Sequence, residues 1–333
     1  VTPVLTAAQQ LRRDIEACEL PHPMFEELRI TLKRFIDDTL AGFESKIIRV
    51  PGPSGAGKSS LINNLARDYP EYRVDGRRHV PVLVVKLRSG VSAKTLPKSV
   101  LDALGIPVVR RSQTAGDLGA MMVDQLKKAG TLVVIFDEAS HLVDEGARVS
   151  TRAASEWFKT LFDDLGGMLI LFGIPRLERL FSANEQLRRR SIPARKFLHY
   201  AANHAKEMAA FHACVANYGR LFAAAGYPID VPARALTQQC YLLTGGLVGV
   251  LADFMKALAS LMADEAPRAI TYADCQAALE YVDHAGSPHQ LPFQDSGIED
   301  AGVAPAALQQ AYVHVLNSNA MSVPVRKKSG DKQ

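Results

Sequence analysis

The hydrophobic period changes several times along the chain, and each change marks a boundary. Over residues 1–45 apolar positions recur at helical spacing. Phe25, Leu28, Leu32, Phe35 and Ile36 line one face of a helix opened near Pro23, which reads as a packing arm. At Lys46 the period shortens. Ile47, Ile48 and Val50 predict a short buried strand running directly into a glycine-rich turn, with a helix from Ser60 to Asp68 after it. Val80–Leu87 reads as the next strand, Thr95–Leu104 as a helix ended at Gly105, and Asp117–Ala129 as a helix stopped by Gly130. Then come a buried strand at Leu132–Phe136, a helix at Ser155–Leu165 broken by Gly166 and Gly167, a strand at Met168–Phe172 and a helix from Arg176 to Phe181. Strands alternating with helices at these intervals predict an α/β domain, a parallel sheet with helices on both faces.

Beyond about residue 200 the pattern is helical only: Ala205–Ala225, Pro232–Thr244, Leu247–Ala263 and Tyr272–His284. Leu247, Val250, Leu251, Phe254, Leu258 and Leu261 form an apolar stripe, as a small helical bundle requires. Residues 285–303 hold Gly, Ser, Pro and Asp without periodicity and read as a linker. A short helix, Ala306–Leu316, precedes a basic end at Arg326, Lys327, Lys328 and Lys332. The expected organisation is an N-terminal helical arm (1–45), an α/β core (46–200), a helical lid (201–285), and a linker, short helix and basic tail (286–333).

Composition narrows the class. With 333 residues, 47% of them hydrophobic and 22% charged, the chain can bury two cores, which excludes collagen-like, low-complexity and wholly disordered readings. A formal charge of +4 selects no partner by itself. The apolar runs Leu132–Phe136 and Met168–Phe172 have five residues each, against the about twenty of a spanning helix, so no membrane span is expected. The N-terminus lacks a secretory pattern. Cys18, Cys214, Cys240 and Cys275 form no C-x-x-C pair, which fits a reducing, cytoplasmic setting. No histidine sits in an H-E-x-x-H spacing.

The strongest chemical signal is Gly52-Pro53-Ser54-Gly55-Ala56-Gly57-Lys58-Ser59, a complete G-x-x-x-x-G-K-[ST] between a predicted strand and a predicted helix. Glycines let consecutive backbone N–H groups turn inward around an anion, and the start of the helix, through Ser60, adds its dipole. Lys58 would reach the β- and γ-phosphates of ATP, and Ser59 would ligate Mg²⁺. The second signal is Thr131–Glu138, an apolar strand ending in two acids. Asp137 would complete the Mg²⁺ shell and Glu138 would polarise the attacking water; an N-cap and first-turn acid is the plainer use of the same pair. Leu187-Arg188-Arg189-Arg190 is a third element. It reads either as a solvated basic helix end or as a cation reaching the γ-phosphate held by a neighbouring subunit.

Taken together, these motifs resemble an AAA+ ATPase, a P-loop NTPase core with a parallel sheet followed by a small all-helical lid. More narrowly, they resemble the transposition regulators of the TnsC, TniB and MuB group. The narrowing details are FDEASHL at the second motif, FGIPRLERLF after the next strand, ANEQLRRR behind it and LTGGLVGVL opening a lid helix, over roughly residues 20–265. The resemblance implies an ATP-dependent DNA-binding protein that forms rings or filaments on duplex DNA and links target-site choice to a transposase. A target-selector protein of the TniQ type is the implied further partner. It also implies Arg189 or Arg190 as the arginine finger, with Arg190 favoured because it ends the run. Loops facing a ring's pore then hold the DNA-contact candidates Lys94, Thr95, Lys98, Arg110, Arg111 and Thr114, suited to gripping phosphates without reading bases. Two departures bear on rate. Ile174 stands where family members often carry a polar sensor, and Leu247–Gly249 carries no lid arginine, so slow, regulated hydrolysis is expected. The competing reading is a signalling or assembly P-loop NTPase that binds protein partners without DNA.

Overall fold

A computed structural model describes residues 5–18, 20, 23–108, 114–144, 146–294 and 302–320. In chain order its elements are α1 (Ala7–Ala17), α2 (Pro23–Leu40), β1 (Ile47–Pro51), α3 (Lys58–Asp68), β2 (Tyr72–Val74), β3 (Arg77–His79), β4 (Val82–Lys86), α4 (Thr95–Ala103) and α5 (Ala115–Lys128). They continue with β5 (Val133–Asp137), α6 (Thr151–Leu165), β6 (Met168–Gly173), α7 (Glu178–Ala183), α8 (Glu185–Arg189), α9 (Ala205–Ala224), α10 (Ala233–Thr244), α11 (Val248–Leu261), α12 (Tyr272–Ala278) and α13 (Pro305–Ala320). Two compact units result. One is built from Met24–Ser54 and Lys58–Phe197; the other gathers α1, Gly55–Gly57 and Leu198–Ser318.

The first unit is the α/β one. Its sheet has the order β1-β6-β5-β4, with every pairing parallel. The chain after α8 extends it beside β1: Ile47 N–H donates to the Arg190 carbonyl, and the amides of Ile192, Arg195 and Phe197 donate to the carbonyls of Ile47, Arg49 and Pro51. That slanted pattern is a parallel ladder along an irregular edge. Strands β5 and β6 are buried along their whole length, as strands covered on both faces must be. Register pairs Pro51 with Gly173 and Lys86 with Asp137, so the C-terminal ends of neighbouring strands come level. In an open parallel sheet that edge is where ligands bind.

Phe136 locks the middle of this core. Its ring is buried and meets Phe158 edge-on at 5.1 Å and Trp157 at 5.9 Å, joining β5 to α6. Replacing Phe136 with alanine is expected to cost about 3–5 kcal/mol, read as a lower urea midpoint at constant m-value. A loss below about 1 kcal/mol would mean that the ring is not a keystone.

Local chemistry explains where the elements depart from the periodic pattern. Thr114 and Asp117 form a capping box, so α5 begins at Ala115. Ser150 caps α6 by accepting from the Ala153 N–H, four residues earlier than apolar spacing alone predicts. The expected helix Arg176–Phe181 is a 3-10 turn at Pro175–Leu177 followed by α7, and the separate α8 starts where the Asn184 side chain accepts from the amides of Gln186 and Leu187. The β2–β3 hairpin is absent from the periodic reading. Asp75 and Gly76 both have positive φ, +50° and +76°, the two-residue turn that an Asp-Gly pair favours between right-twisted strands.

The second unit is helical. α1 packs on α9 and α11. Phe293, within the stretch read as linker, is buried, stacked on Phe254 at 5.5 Å and edge-on to Tyr272. No single helix among the described residues is long and apolar enough to cross a membrane; α10 and α11 together have the length but bend by 114° where they meet.

Candidate nucleotide site

The loop from Gly52 to Gly57 links β1 to α3, which starts at Lys58. Gly55 and Gly57 have φ of +75° and +97°, conformations that side chains rarely adopt, so the loop can curl with its amides on one side. Pro53 and Ala56 are buried, while Ser54, Ser59 and Ser60 are exposed. The Lys58 side chain is only 5% exposed and bends back over the loop, donating to the carbonyls of Gly52 (2.9 Å) and Pro53 (2.7 Å). Burial lowers its pKa from the ordinary lysine value, and the nearby charges of Glu138 and Asp137 oppose that shift. An ammonium has three donors, so one remains for an incoming anion.

Asp137 closes β5 and is buried. Its Oδ2 accepts from the Ser59 hydroxyl at 3.2 Å, and its Oδ1 accepts from the Glu138 amide at 2.9 Å. Glu138 follows in the left-handed region at φ 57°, ψ 33°, a strained conformation for a residue with a side chain. Strain of this kind persists only where the surroundings impose it. Here the 3-10 turn Ala139–Val143 begins immediately after Glu138, and its residues Ala139, Ser140, Leu142 and Val143 are buried.

These groups fit a magnesium-bound triphosphate. A hydroxyl and a carboxylate oxygen stand 3.2 Å apart, both hard oxygen donors of the kind Mg²⁺ takes. The partly charge-balanced Lys58 stands beside them, at the start of a helix, where the first amides have no partner within the helix itself. Two further groups escaped the sequence reading. Ser140 places a hydroxyl at the end of β6, where its Oγ accepts from the Ile174 N–H at 3.3 Å. Within the helical unit, the Gly249 N–H donates to the Gly55 carbonyl at 2.8 Å, in the segment that carries no arginine. No periodicity or charge pattern signals either one.

The remaining candidates lie in varied settings. Arg190 grips Asp163 with both arms of its guanidinium, at 2.7 and 3.0 Å, whereas Arg189 is 76% exposed and pairs, among the described residues, with Glu185 one helical turn away. Lys94 and Lys98 are exposed at the start of α4. The Thr95 hydroxyl is taken up by the Ser92 turn, and the Thr114 hydroxyl by the α5 capping box. Arg110 and Arg111 lie outside the described residues, as does the basic end.

A P-loop between β1 and α3, two acids ending β5, and a parallel sheet with a C-terminal helical unit define an AAA+ ATPase fold. The likeness to solved structures agrees. The Aeropyrum pernix ORC2 protein (ADPNP-ADP complexes) aligns with a TM-score of 0.57 at 14% identity, covering 79% of this chain and 69% of that one. Cdc6p from Pyrobaculum aerophilum gives 0.55 at 15%, covering 81% and 69%, and Drosophila ORC bound to DNA gives 0.51 at 13%, covering 84% and 67%. At such identity the likeness is one of fold. No curated protein matches the chain. Residues 32–197 match the family of Bacterial TniB proteins, and over that stretch the chain belongs to the TniB family.

Proposed function

We propose that this protein is an ATP-hydrolysing, DNA-binding regulator of transposition that assembles as a ring or filament on duplex DNA and links target-site choice to the transposase. The observation that carries this reading is the grouping of Lys58, Ser59, Asp137 and Glu138 at the strand ends of a TniB-family chain. Lys58 and the loop amides bind the phosphates, Ser59 and Asp137 hold Mg²⁺, and Glu138 orients a water. The metal supplies charge neutralisation on the phosphate oxygens.

Assembly follows from the chemistry of the bound triphosphate. A neighbour's arginine reaching the γ-phosphate favours the assembled form while ATP is intact, and hydrolysis loosens it. Arg189 is the better candidate for that contact, because the Arg190 guanidinium is already satisfied by Asp163. Lys94 and Lys98 are the first choices for phosphate contacts on duplex DNA, with Arg110 and Arg111 beside them in sequence; the Thr95 and Thr114 hydroxyls, held locally, contribute less. One of the fold's neighbours is described as bound to DNA, which supports the nucleic-acid part of the reading. A transposase and a TniQ-type selector are the proposed protein partners, in the cytoplasm.

Sedimentation velocity and electron microscopy with mixed-sequence duplex and a non-hydrolysable ATP analogue test the reading. Large assemblies are expected only when both ligands are present. A chain that stays monomeric with both would refute it.

A further inference from the structure

The lid of this protein lacks a cation at Leu247–Gly249, yet its first helical turn makes a specific bond to the phosphate loop. Resting on the nucleotide-binding reading above, we propose that the backbone amide of Gly249 is a positioning group for that loop, setting the direction of the Gly55–Ala56 peptide so that the Ala56 N–H faces the phosphates.

One contact within the helical unit that includes Gly55–Gly57 holds this peptide, and the space around the two glycines explains why it is possible. The Gly249 N–H donates to the Gly55 carbonyl at 2.8 Å. A Cβ built at Gly249 would stand 2.6 Å from that oxygen and 3.1 Å from the Gly55 carbonyl carbon, so the approach is open only to glycine. Conversely, a Cβ at Gly55 would meet Val250 Cγ2 at 3.3 Å. The two glycines meet backbone to backbone.

The consequence follows from peptide geometry. A trans peptide points its C=O and its N–H in opposite directions. Holding the Gly55 oxygen toward Gly249 therefore turns the Ala56 N–H away from α11. Gly55 can adopt many conformations, so this peptide can flip if nothing holds it. Gly249 is the second residue of α11, where an amide has no partner inside its own helix; bonding to Gly55 satisfies it. A neutral backbone donor thus does structurally what a charged side chain would do by touching the nucleotide. It orders the cradle without adding charge.

Gly249→Ala tests this directly, because the two readings part on nucleotide affinity. The methyl group cannot fit against the Gly55 oxygen, so some loss of thermal stability is expected on either reading, but a merely structural role leaves the nucleotide affinity of the folded variant unchanged. The positioning role predicts that the methyl group pushes Gly55 away and that affinity for a fluorescent ATP analogue falls by about tenfold or more, with the nucleotide-free far-UV spectrum unchanged. Val250→Ala, which keeps the amide, is expected to bind within about twofold of wild type. Should Gly249→Ala fail to fold, hydrogen exchange on the wild-type chain decides. Protection of the Gly249 amide is expected, and fast exchange there, as at an ordinary first helical turn, overturns the proposal. Wild type that binds no nucleotide would defeat the broader reading; wild type and Gly249→Ala binding equally well would defeat only this one.

Discussion

Lys58→Ala is expected to weaken nucleotide binding by about 10- to 100-fold and to remove hydrolysis. Three consequences of the geometry add up. A charged donor to the phosphates disappears, worth about 1.5–3 kcal/mol, or one to two decades of affinity. The Gly52 and Pro53 carbonyls lose the donor that holds them at 2.9 and 2.7 Å, which frees the loop on which the amides depend. Asp137 and Glu138 lose the cation whose charge they share, and two carboxylates without it repel a triphosphate. Fluorescence titration with an ATP analogue, with and without Mg²⁺, measures all three. Lys58→Met keeps the apolar stem but no donor, so it should show the same loss of binding together with some loss of stability, because the Gly52 and Pro53 carbonyls lose their donor and Asp137 its cation. Retained binding in either variant would mean that the loop amides alone hold the nucleotide.

Lys58 also shows why so much of the candidate site was legible in sequence. The phosphate loop needs glycines at fixed offsets, a lysine at the helix start and a hydroxyl next to it. Each requirement is local, so eight consecutive residues carry it. Strand β5 was legible for a similar reason: a strand buried on both faces reads as a continuous apolar run, and the acid Asp137 marks its end. The C-terminal helical unit was visible as an apolar stripe. What remained hidden depends on partners far away in sequence or on single hydrogen bonds. The Arg190–Asp163 pair spans 27 positions, beyond the reach of any local pattern. Neither the Gly249 amide nor the Ser140 hydroxyl leaves any trace in hydrophobic patterning, since one is backbone and the other is a small residue in a buried turn. The β2–β3 hairpin did carry a local signal in Asp75-Gly76; its three-residue strands are too short and too polar for alternation to reveal them.

Glu138→Gln is expected to separate binding from chemistry. Gln keeps the size and the left-handed backbone but cannot accept a proton, so the hydrolysis rate should fall by about 10²–10⁴ while nucleotide affinity stays within a few-fold of wild type. On the proposed reading the variant stays assembled on duplex DNA once ATP is added, whereas wild type turns over and dissociates; a rapid-dilution assay followed by light scattering distinguishes the two. The backbone at this position adds an independent check. A side chain at φ 57° costs about 1–2 kcal/mol, and glycine would remove that cost while losing about 0.5–1 kcal/mol through the greater freedom of its unfolded chain. Glu138→Gly should therefore be as stable as wild type or slightly more so, and as inactive as Glu138→Gln. A carboxylate kept where glycine would sit more comfortably is there for its chemistry. If Glu138→Gly instead unfolds at a clearly lower urea concentration, the glutamate earns its position through packing, and its role as the group that orients water loses its structural support.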